Sequence, residues 1–136
     1  MRFYLAARYS RHPEMRRYRE GLEALGHVVT SRWINGEHQM SNGSGDEDQV
    51  RRFAEEDWDD LAGADCVISF TETPRGTNSR GGRHVEFGMA LGMGLDVIVV
   101  GPRENVFHYL EGVEVYETWE ACLDRLKLDV TPGYHG

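Results

Sequence analysis

The sequence has few cysteines, no long apolar run and little positive charge. Its two cysteines, Cys66 and Cys122, stand in apolar patterns without the spacing of metal ligands, so we interpret them as reduced core residues of a cytoplasmic protein. No apolar run approaches the roughly 20 residues that cross a bilayer, and the first residues resemble a strand rather than a signal peptide. Positive charge is also scarce, since 15 lysines and arginines against 23 aspartates and glutamates give a formal net charge of -8. That balance argues against a general partner of nucleic-acid polymers or anionic membranes.

The order of the apolar segments predicts the fold. A hydrophobic content of 40% supports a real core, and 136 residues without an internal repeat predict one domain over residues 1–136. Strand patterns at residues 3–7, 27–32, 65–70, 96–100 and 113–116 alternate with helical patterns. This alternation predicts an α/β protein with an open five-stranded parallel sheet in the order 2-1-3-4-5 and helices on both faces, as in Rossmann-like and flavodoxin-like folds. Residues 35–48 are predicted to form a mobile loop, and residues 129–136 a tail.

The most informative segment is a glycine-rich loop that leads into an apolar helix with one acid near its start. Residues 79–94 read Ser-Arg-Gly-Gly-Arg-His-Val-Glu-Phe-Gly-Met-Ala-Leu-Gly-Met-Gly, and the acid is Glu86. Helical spacing places Met89, Ala90 and Met93 on its face, so the carboxylate lies among apolar residues. Burial of an acid is unfavourable unless it has a role, and N–H groups at a helix N-terminus favour its charged form. Glu86 is therefore a candidate nucleophile, with an ordinary helix N-terminal acid as the alternative.

A second acid has a similar setting. Asp57 has Phe53, Ala54 and Leu61 at helical spacing, whereas the acids around it fit a solvated helix face. Two inward-tending acids in one α/β domain suggest divided roles, in which one stays ionised to attack and the other positions or donates a proton. The alternative is that Asp57 only adds to an acidic helix surface.

Three motifs together resemble a known family. They are Phe3-Tyr4-Leu5-Ala6-Ala7, Asp57-x-x-x-Leu61-x-x-Ala64-Asp65 and Gly81-Gly82-x-x-x-Glu86-x-Gly88-x-Ala90. In these motifs, and with Asp57 placed 29 residues before Glu86, the sequence resembles the nucleoside 2-deoxyribosyltransferase family, which includes the 2′-deoxynucleoside 5′-phosphate N-hydrolases. The resemblance spans residues 1 to about 127.

The resemblance implies roles for individual residues. Glu86 would attack C1′ of the sugar, and Tyr4 would hydrogen-bond this nucleophile. Asp57 would orient the sugar or the nucleophile and help to protonate the departing base, and Tyr9 falls near an aromatic residue that stacks on the base. This chemistry suits the residue types, because cleavage of an N-glycosidic bond builds positive charge at C1′ that a carboxylate stabilises. It needs no metal and no cofactor.

The segment that follows the fourth predicted strand has an implied role between subunits. Asn105 resembles a residue that reaches a neighbouring subunit's site and contacts the 5′ side of the sugar, and we place Phe107 in the same substrate-binding segment. The residues around it are apolar within a short irregular stretch, which is typical of an interface: Val106, Phe107, Tyr109 and Leu110. We therefore expect a homodimer or a higher homo-oligomer.

Arginines near the predicted loops leave the substrate open. Some transferases have an acid six residues before the nucleophile, where this chain has Arg80, so a base-recognition role of that acid does not transfer. Arg8, Arg11, Arg80 and Arg83 suggest a site for a 5′-phosphate, and solvated loop charges are the equal alternative. The predicted substrate-binding residues at these loops are Arg8, Ser79, Arg80, Gly81 and Gly82.

These patterns lead to three functional hypotheses. The first is cleavage of a (deoxy)nucleoside through a covalent Glu86 glycosyl ester, with transfer of the 2-deoxyribosyl group to another nucleobase. Asn105 favours this transferase. The second is hydrolysis of a (deoxy)nucleoside 5′-monophosphate to base and sugar phosphate, which the arginines favour. The third, from a different class, is a non-catalytic nucleotide sensor that would keep the arginines without needing Glu86.

Overall fold

The computed structural model describes residues 1–36, 46–73 and 81–128. Within these ranges, five parallel strands form one open sheet in the order β2-β1-β3-β4-β5. The strands are β1 (Arg2–Ala6), β2 (Val28–Val29), β3 (Cys66–Phe70), β4 (Asp96–Val100) and β5 (Glu114–Tyr116). The predicted α/β class, parallel pairing and strand order are confirmed.

Helices connect the strands and cover both faces of the sheet. They are α1 (His12–Ala24), α2 (Glu47–Ala62), α3 (Gly82–Gly92) and α4 (Trp119–Leu128). Phe70 at the end of β3 stacks on Tyr18 of α1 and lies near Trp119 of α4, so these two helices share one face. Helix α3 covers the opposite face, where it meets Tyr4 of β1, and α2 packs beside it. No helix in the described ranges has the length and apolar composition to span a bilayer.

Buried strands make the core. All residues of β3 are buried, as are the last four residues of β1 and of β4. Both cysteines are buried and free, as predicted for core residues. Trp33 also packs inside, whereas Trp58 leaves 53% of its surface exposed.

The second strand is much shorter than the predicted range 27–32. The Thr30 N–H still donates to the Phe3 carbonyl at 2.8 Å, and beyond Thr30 side chains satisfy the edge of β1 instead of a ladder. Ser31 Oγ accepts the N–H of Leu5 at 3.1 Å, and the indole N–H of Trp33 donates to the Leu5 carbonyl at 2.8 Å. The chain then turns into a 3-10 helix at Arg32–Asn35.

The predicted mobile loop 35–48 is wrong at its carboxyl end. Asp46 caps helix α2 by accepting the N–H of Asp48, and the helix begins at Glu47. Acids in a first turn are stabilised by the helix dipole, so this acidic stretch favours a helix start over a loop. Residues 37–45 of that loop and the predicted tail 129–136 lie outside the described residues.

Candidate active site

The loops after β3 and β4 meet closely at the carboxyl edge of the sheet. Gly101, which follows β4, has a φ of 118°, and a Cβ there would collide with Oγ1 of Thr71. Thr71 follows β3 and donates its N–H to the Val100 carbonyl at 3.0 Å. A glycine at this position therefore lets two loops converge where ligands bind in open parallel sheets.

Glu86 lies on the sheet side of α3. The helix begins at Gly82 after Gly81, whose φ of 84° suits glycine. From the second turn, the half-buried Glu86 accepts a hydrogen bond from the hydroxyl of Tyr4, a residue of β1 with no exposed surface. The stripe predicted around Glu86 is apolar and buried at Ala90, but Met93 at its end is 37% exposed.

Asp57 lies near this pair. It is half-buried on α2, and its negative charge acts on both Glu86 and Tyr4. The structure therefore brings together three residues that the sequence places in β1, α2 and α3. Their assigned roles stay predictions.

The two carboxyl groups hold their protons unusually well. Burial raises the pKa of Asp57 to about 7, and the charges of Asp60 and Glu56 add to the effect. Burial raises the pKa of Glu86 to about 8, the Tyr4 hydrogen bond opposes this shift, and the charge of Asp57 adds to it. The groups titrate as a coupled pair. The Tyr4 hydroxyl donates to Glu86 and so favours its ionised form, but burial is the larger effect and leaves the pKa of Glu86 above that of Asp57.

This arrangement predicts that Glu86 destabilises the fold in alkaline solution. Its pKa is raised from 4.5 to about 8, so the folded protein holds more protons than the unfolded chain between these values. The free energy of unfolding therefore falls as the pH rises through this window. We expect Glu86→Gln to raise that free energy by about 1–3 kcal/mol at about pH 9, and much less at about pH 4, in urea denaturation. Glu23→Gln, on the exposed face of α1, is the control. An equal gain at both pH values would contradict the prediction.

The predicted arginine group is paired with acids. Glu72, just after β3, accepts hydrogen bonds from Arg8 at 3.3 Å and from Arg11 at 2.7 Å. The buried Arg83 donates to Glu104, after β4, at 2.6 Å. Arg80 and Ser79 lie outside the described residues.

The remaining predicted residues lie around this edge. Tyr9 sits in a 3-10 turn after β1 and packs near Trp33, with ring centroids 6.2 Å apart. Asn105 uses its side-chain carbonyl to cap the 3-10 turn Val106–Tyr109, accepting the N–H of Phe107 at 2.9 Å. Phe107 itself is 59% exposed.

Sequence reasoning missed Glu72 and Glu104. Glu72 pairs with Arg8 and Arg11, and Glu104 pairs with Arg83. The sequence pattern indicates only the arginines and not these acidic partners. The available signal was position, because both acids follow the carboxyl ends of central strands, where loop residues converge. An acid in a loop is usually solvated, so that signal was weak.

Similarity to solved structures defines the fold class. No protein-family model and no curated protein matches the sequence. The chain has the nucleoside 2-deoxyribosyltransferase-like fold. It is similar to a 2-deoxyribosyltransferase from Bacillus psychrosaccharolyticus, with 18% identity over 91% of each chain and a TM-score of 0.71.

Two further structures have the same architecture. The CMP N-glycosidase BcmB of Clostridium botulinum is 23% identical over 94% of this chain and 99% of its own, with a TM-score of 0.61. A conserved protein from Enterococcus faecalis V583 is 14% identical over 95% and 98%, with a TM-score of 0.62. At these identities the likeness establishes the fold, and function has to be argued from the residues.

Proposed function

We propose that this chain cleaves the N-glycosidic bond of (deoxy)nucleosides through a glycosyl ester on Glu86 and transfers the 2-deoxyribosyl group to another nucleobase. One observation carries the proposal: the Glu86 carboxylate accepts a hydrogen bond from Tyr4, within the field of Asp57. Two of the solved structures with this fold are named as a 2-deoxyribosyltransferase and a CMP N-glycosidase, which supports the same class of bond.

In the first half-reaction, a carboxylate oxygen of Glu86 forms a bond to C1′ as the bond from C1′ to the base nitrogen breaks. The electron pair of that bond leaves with the base, and protonated Asp57 supplies a proton to the base. The step uses the state of the coupled pair in which Asp57 carries the proton and Glu86 is ionised, and the pKa values of about 7 and about 8 keep a proton on the pair near neutral pH. The Tyr4 hydroxyl orients the attacking carboxylate. The entropy of ordering this group is therefore lost when the protein folds and not during the reaction.

In the second half-reaction, a nitrogen of the incoming base attacks C1′ and the ester bond to Glu86 breaks. The proton of that nitrogen passes to the Asp57 carboxylate, so both acids return to their starting states. If water attacks instead, the same steps give free sugar, and the enzyme is a hydrolase. Covalent capture divides one difficult displacement into two easier ones.

Charge at the site favours an uncharged nucleoside over a monophosphate. In the described ranges, Arg8 and Arg11 share Glu72, and Arg83 holds Glu104. Asp57 and Glu86 add negative charge whenever they are ionised. A 5′-phosphate would have to compete with these carboxylates for each guanidinium.

A base-exchange assay tests the proposal. The protein is incubated with a purine deoxynucleoside, with and without a second base, and products are separated by chromatography. The proposed transferase forms the new deoxynucleoside only when the acceptor is present. Free base without a new nucleoside indicates the hydrolase, and unchanged substrates across all bases and monophosphates indicate the sensor.

We expect deoxynucleosides to be processed at least as efficiently as their 5′-monophosphates. Arg8→Ala should change the ratio of the two kcat/KM values by less than about 3-fold, because Glu72 already pairs with this arginine. Steady-state kinetics on matched substrates measures the ratio, with Arg51→Ala on α2 as the control for general charge. A charge-assisted contact contributes about 1.5–3 kcal/mol. A monophosphate preference of roughly 10–100-fold that Arg8→Ala removes would therefore replace the transferase by the hydrolase.

We also expect the working unit to be a homo-oligomer. The 106–110 segment exposes four large apolar residues, with Val106 at 75%, Phe107 at 59%, Tyr109 at 69% and Leu110 at 47%. Such a patch beside the candidate site fits a self-complementary contact. Phe107→Asp should give monomers and lower turnover together, as measured by light scattering and by the exchange assay.

The matched control is Leu128→Asp, which places the same charge on an exposed apolar residue at the end of α4. It should leave both mass and turnover unchanged. A fully active monomer of the unmodified protein at assay concentration would overturn the expectation.

A further inference from the structure

Glu104 ties together several segments at the carboxyl edge of the sheet. Its Oε2 accepts a hydrogen bond from Arg83 of α3 at 2.6 Å, and its Oε1 accepts the backbone N–H of Glu72, after β3, at 3.2 Å. Its own N–H donates to Nδ1 of the fully buried His108 at 3.0 Å. The Glu104 side chain is 19% exposed although the residue as a whole is exposed, so its contact with the buried Arg83 is better shielded from water than its contact with the Glu72 N–H.

The Arg83–Glu104 pair is buried on the arginine side, where only 3% of the side chain is exposed. Buried ion pairs are weak sources of stability, because desolvation of both charges offsets their attraction. Their clearest effect is to select one conformation, since any alternative leaves a buried charge without its partner. This pair therefore fixes where the guanidinium lies.

The location of that guanidinium matters for Glu86. Arg83 comes three residues before Glu86 on α3, and residues at this spacing are neighbours on a helix surface. A guanidinium released from Glu104 would be drawn to the Glu86 carboxylate and would compete with the Tyr4 hydroxyl. The ring of His108 packs edge-on against Phe87, the residue after Glu86, with centroids 4.8 Å apart. The segment after β4 thus contacts α3 through two interactions, the Arg83–Glu104 ion pair and the packing of His108 on Phe87.

We propose that Glu104 is a positioning residue for Glu86: by holding Arg83 and the loop after β3, it keeps the Glu86 carboxylate on the Tyr4 hydroxyl and available for attack. The catalytic part of this proposal, the attack by Glu86, rests on the proposed function. The part that concerns the position of the Glu86 carboxylate rests on geometry alone.

The groups that face Glu86 limit what else could change its protonation. Tyr4 approaches from β1 and Asp57 from α2. By their register with Tyr4, β3 and β4 present uncharged residues on this face: Val67, Ser69, Val97 and Val99. On α3 itself the neighbouring basic residues are Arg83 and His84, and His84 Nε2 lies 3.8 Å from Glu104 Oε2. A change in the titration of Glu86 after substitution of Glu104 therefore reports on the charged groups around Glu104, of which Arg83 makes the shorter contact.

The test compares Glu104→Gln with Glu111→Gln, an exposed acid seven residues further along. We expect Glu104→Gln to lower kcat about 10–100-fold with KM within about 3-fold, because a displaced reacting group slows the chemical step. The pKa of Glu86, followed by carbon-13 NMR of its carboxyl group, should fall in this variant, because a released cation favours the ionised form. Glu111→Gln should match the unmodified protein in both measurements.

The double variant Arg83→Met with Glu104→Gln removes both charges. It should recover kcat to within about 5-fold and return the Glu86 titration towards its original position, because no released guanidinium remains. A double variant as slow as Glu104→Gln alone would overturn the proposal. If Glu104→Gln does not fold, Glu104→Asp keeps the charge while withdrawing the carboxylate, and unmodified kcat in that variant would also overturn it.

The two levels of inference fail separately. If Glu86→Gln keeps its turnover, the proposed function is wrong, and the NMR titration still decides the role of Glu104. If Glu86→Gln is inactive but Glu104→Gln behaves as Glu111→Gln does, the proposed function stands and Glu104 is not a positioning residue.

Discussion

Glu86→Gln is expected to lower turnover by roughly 10³-fold or more while leaving the protein folded, because an amide has nearly the same shape as the carboxylate but is a poor nucleophile. The Tyr4 hydroxyl can still donate to the amide oxygen, so the local geometry survives. Initial rates in the base-exchange assay measure the loss, and circular dichroism checks the fold. Glu86→Ala should be equally inactive.

Covalent trapping tests the same residue from the other direction. A deoxynucleoside with a 2-fluoro sugar forms the ester but reacts on slowly, since fluorine disfavours positive charge at C1′. Mass spectrometry should then find the added sugar on the peptide that contains Glu86, and not in the Glu86→Gln variant. Glu55→Gln, on the exposed face of α2, should retain both turnover and labelling. Normal turnover in Glu86→Gln, or label on another peptide, would refute the nucleophile.

Asp57→Asn is expected to produce the second largest loss, about 10²–10⁴-fold in kcat, because the departing base loses the proton donor that we propose for it. The residual activity should also have a changed pH profile. Since the charge of Asp57 raises the pKa of Glu86, its removal should lower that pKa and move the acidic limb of the profile to lower pH. The pH dependence of kcat/KM measures this shift.

Asp59→Asn is the matched control, because Asp59 lies two residues further along α2 and is exposed. It should alter neither the rate nor the acidic limb. A substrate with a highly acidic leaving base needs little protonation, so Asp57→Asn should lose less activity on it than on an ordinary nucleoside. Equal losses on both substrates would assign Asp57 to orientation of the sugar or the nucleophile instead of proton transfer.

Much of the fold could be predicted because its central strands are buried on both faces. Residues 66–70 are all buried and form an apolar run apart from Ser69, and the strand on either side behaves similarly. The length of β2 could not be predicted in the same way. Its ladder ends where Ser31 and Trp33 bond to Leu5, 26 and 28 residues away, and no local pattern encodes those contacts.

The candidate site likewise contains some residues that a local sequence pattern indicates and others that it does not. Glu86 and Asp57 could be found because each interrupts the apolar face of its own helix, which is a local signal. Glu72 and Glu104 could not, because their partners Arg11 and Arg83 lie 61 and 21 residues away and loop acids have no periodicity. The arginines alone consequently suggest a phosphate site, because their acidic partners can be identified only from the folded structure.

The position of β1 between β2 and β3 has a consequence for the order of folding. Among the five described strands β1 precedes the others in the sequence, yet its neighbour β3 begins at Cys66, and Tyr4 meets a carboxylate 82 residues further along. Parallel strands cannot pair through a hairpin. During synthesis, β1 therefore cannot pair with β3 until the residues between them have been made. Such distant pairings are slow to form. A nascent chain that stops before α3 has Tyr4 without its acceptor Glu86, so this hydrogen bond can form only after three of the five strands have been synthesised.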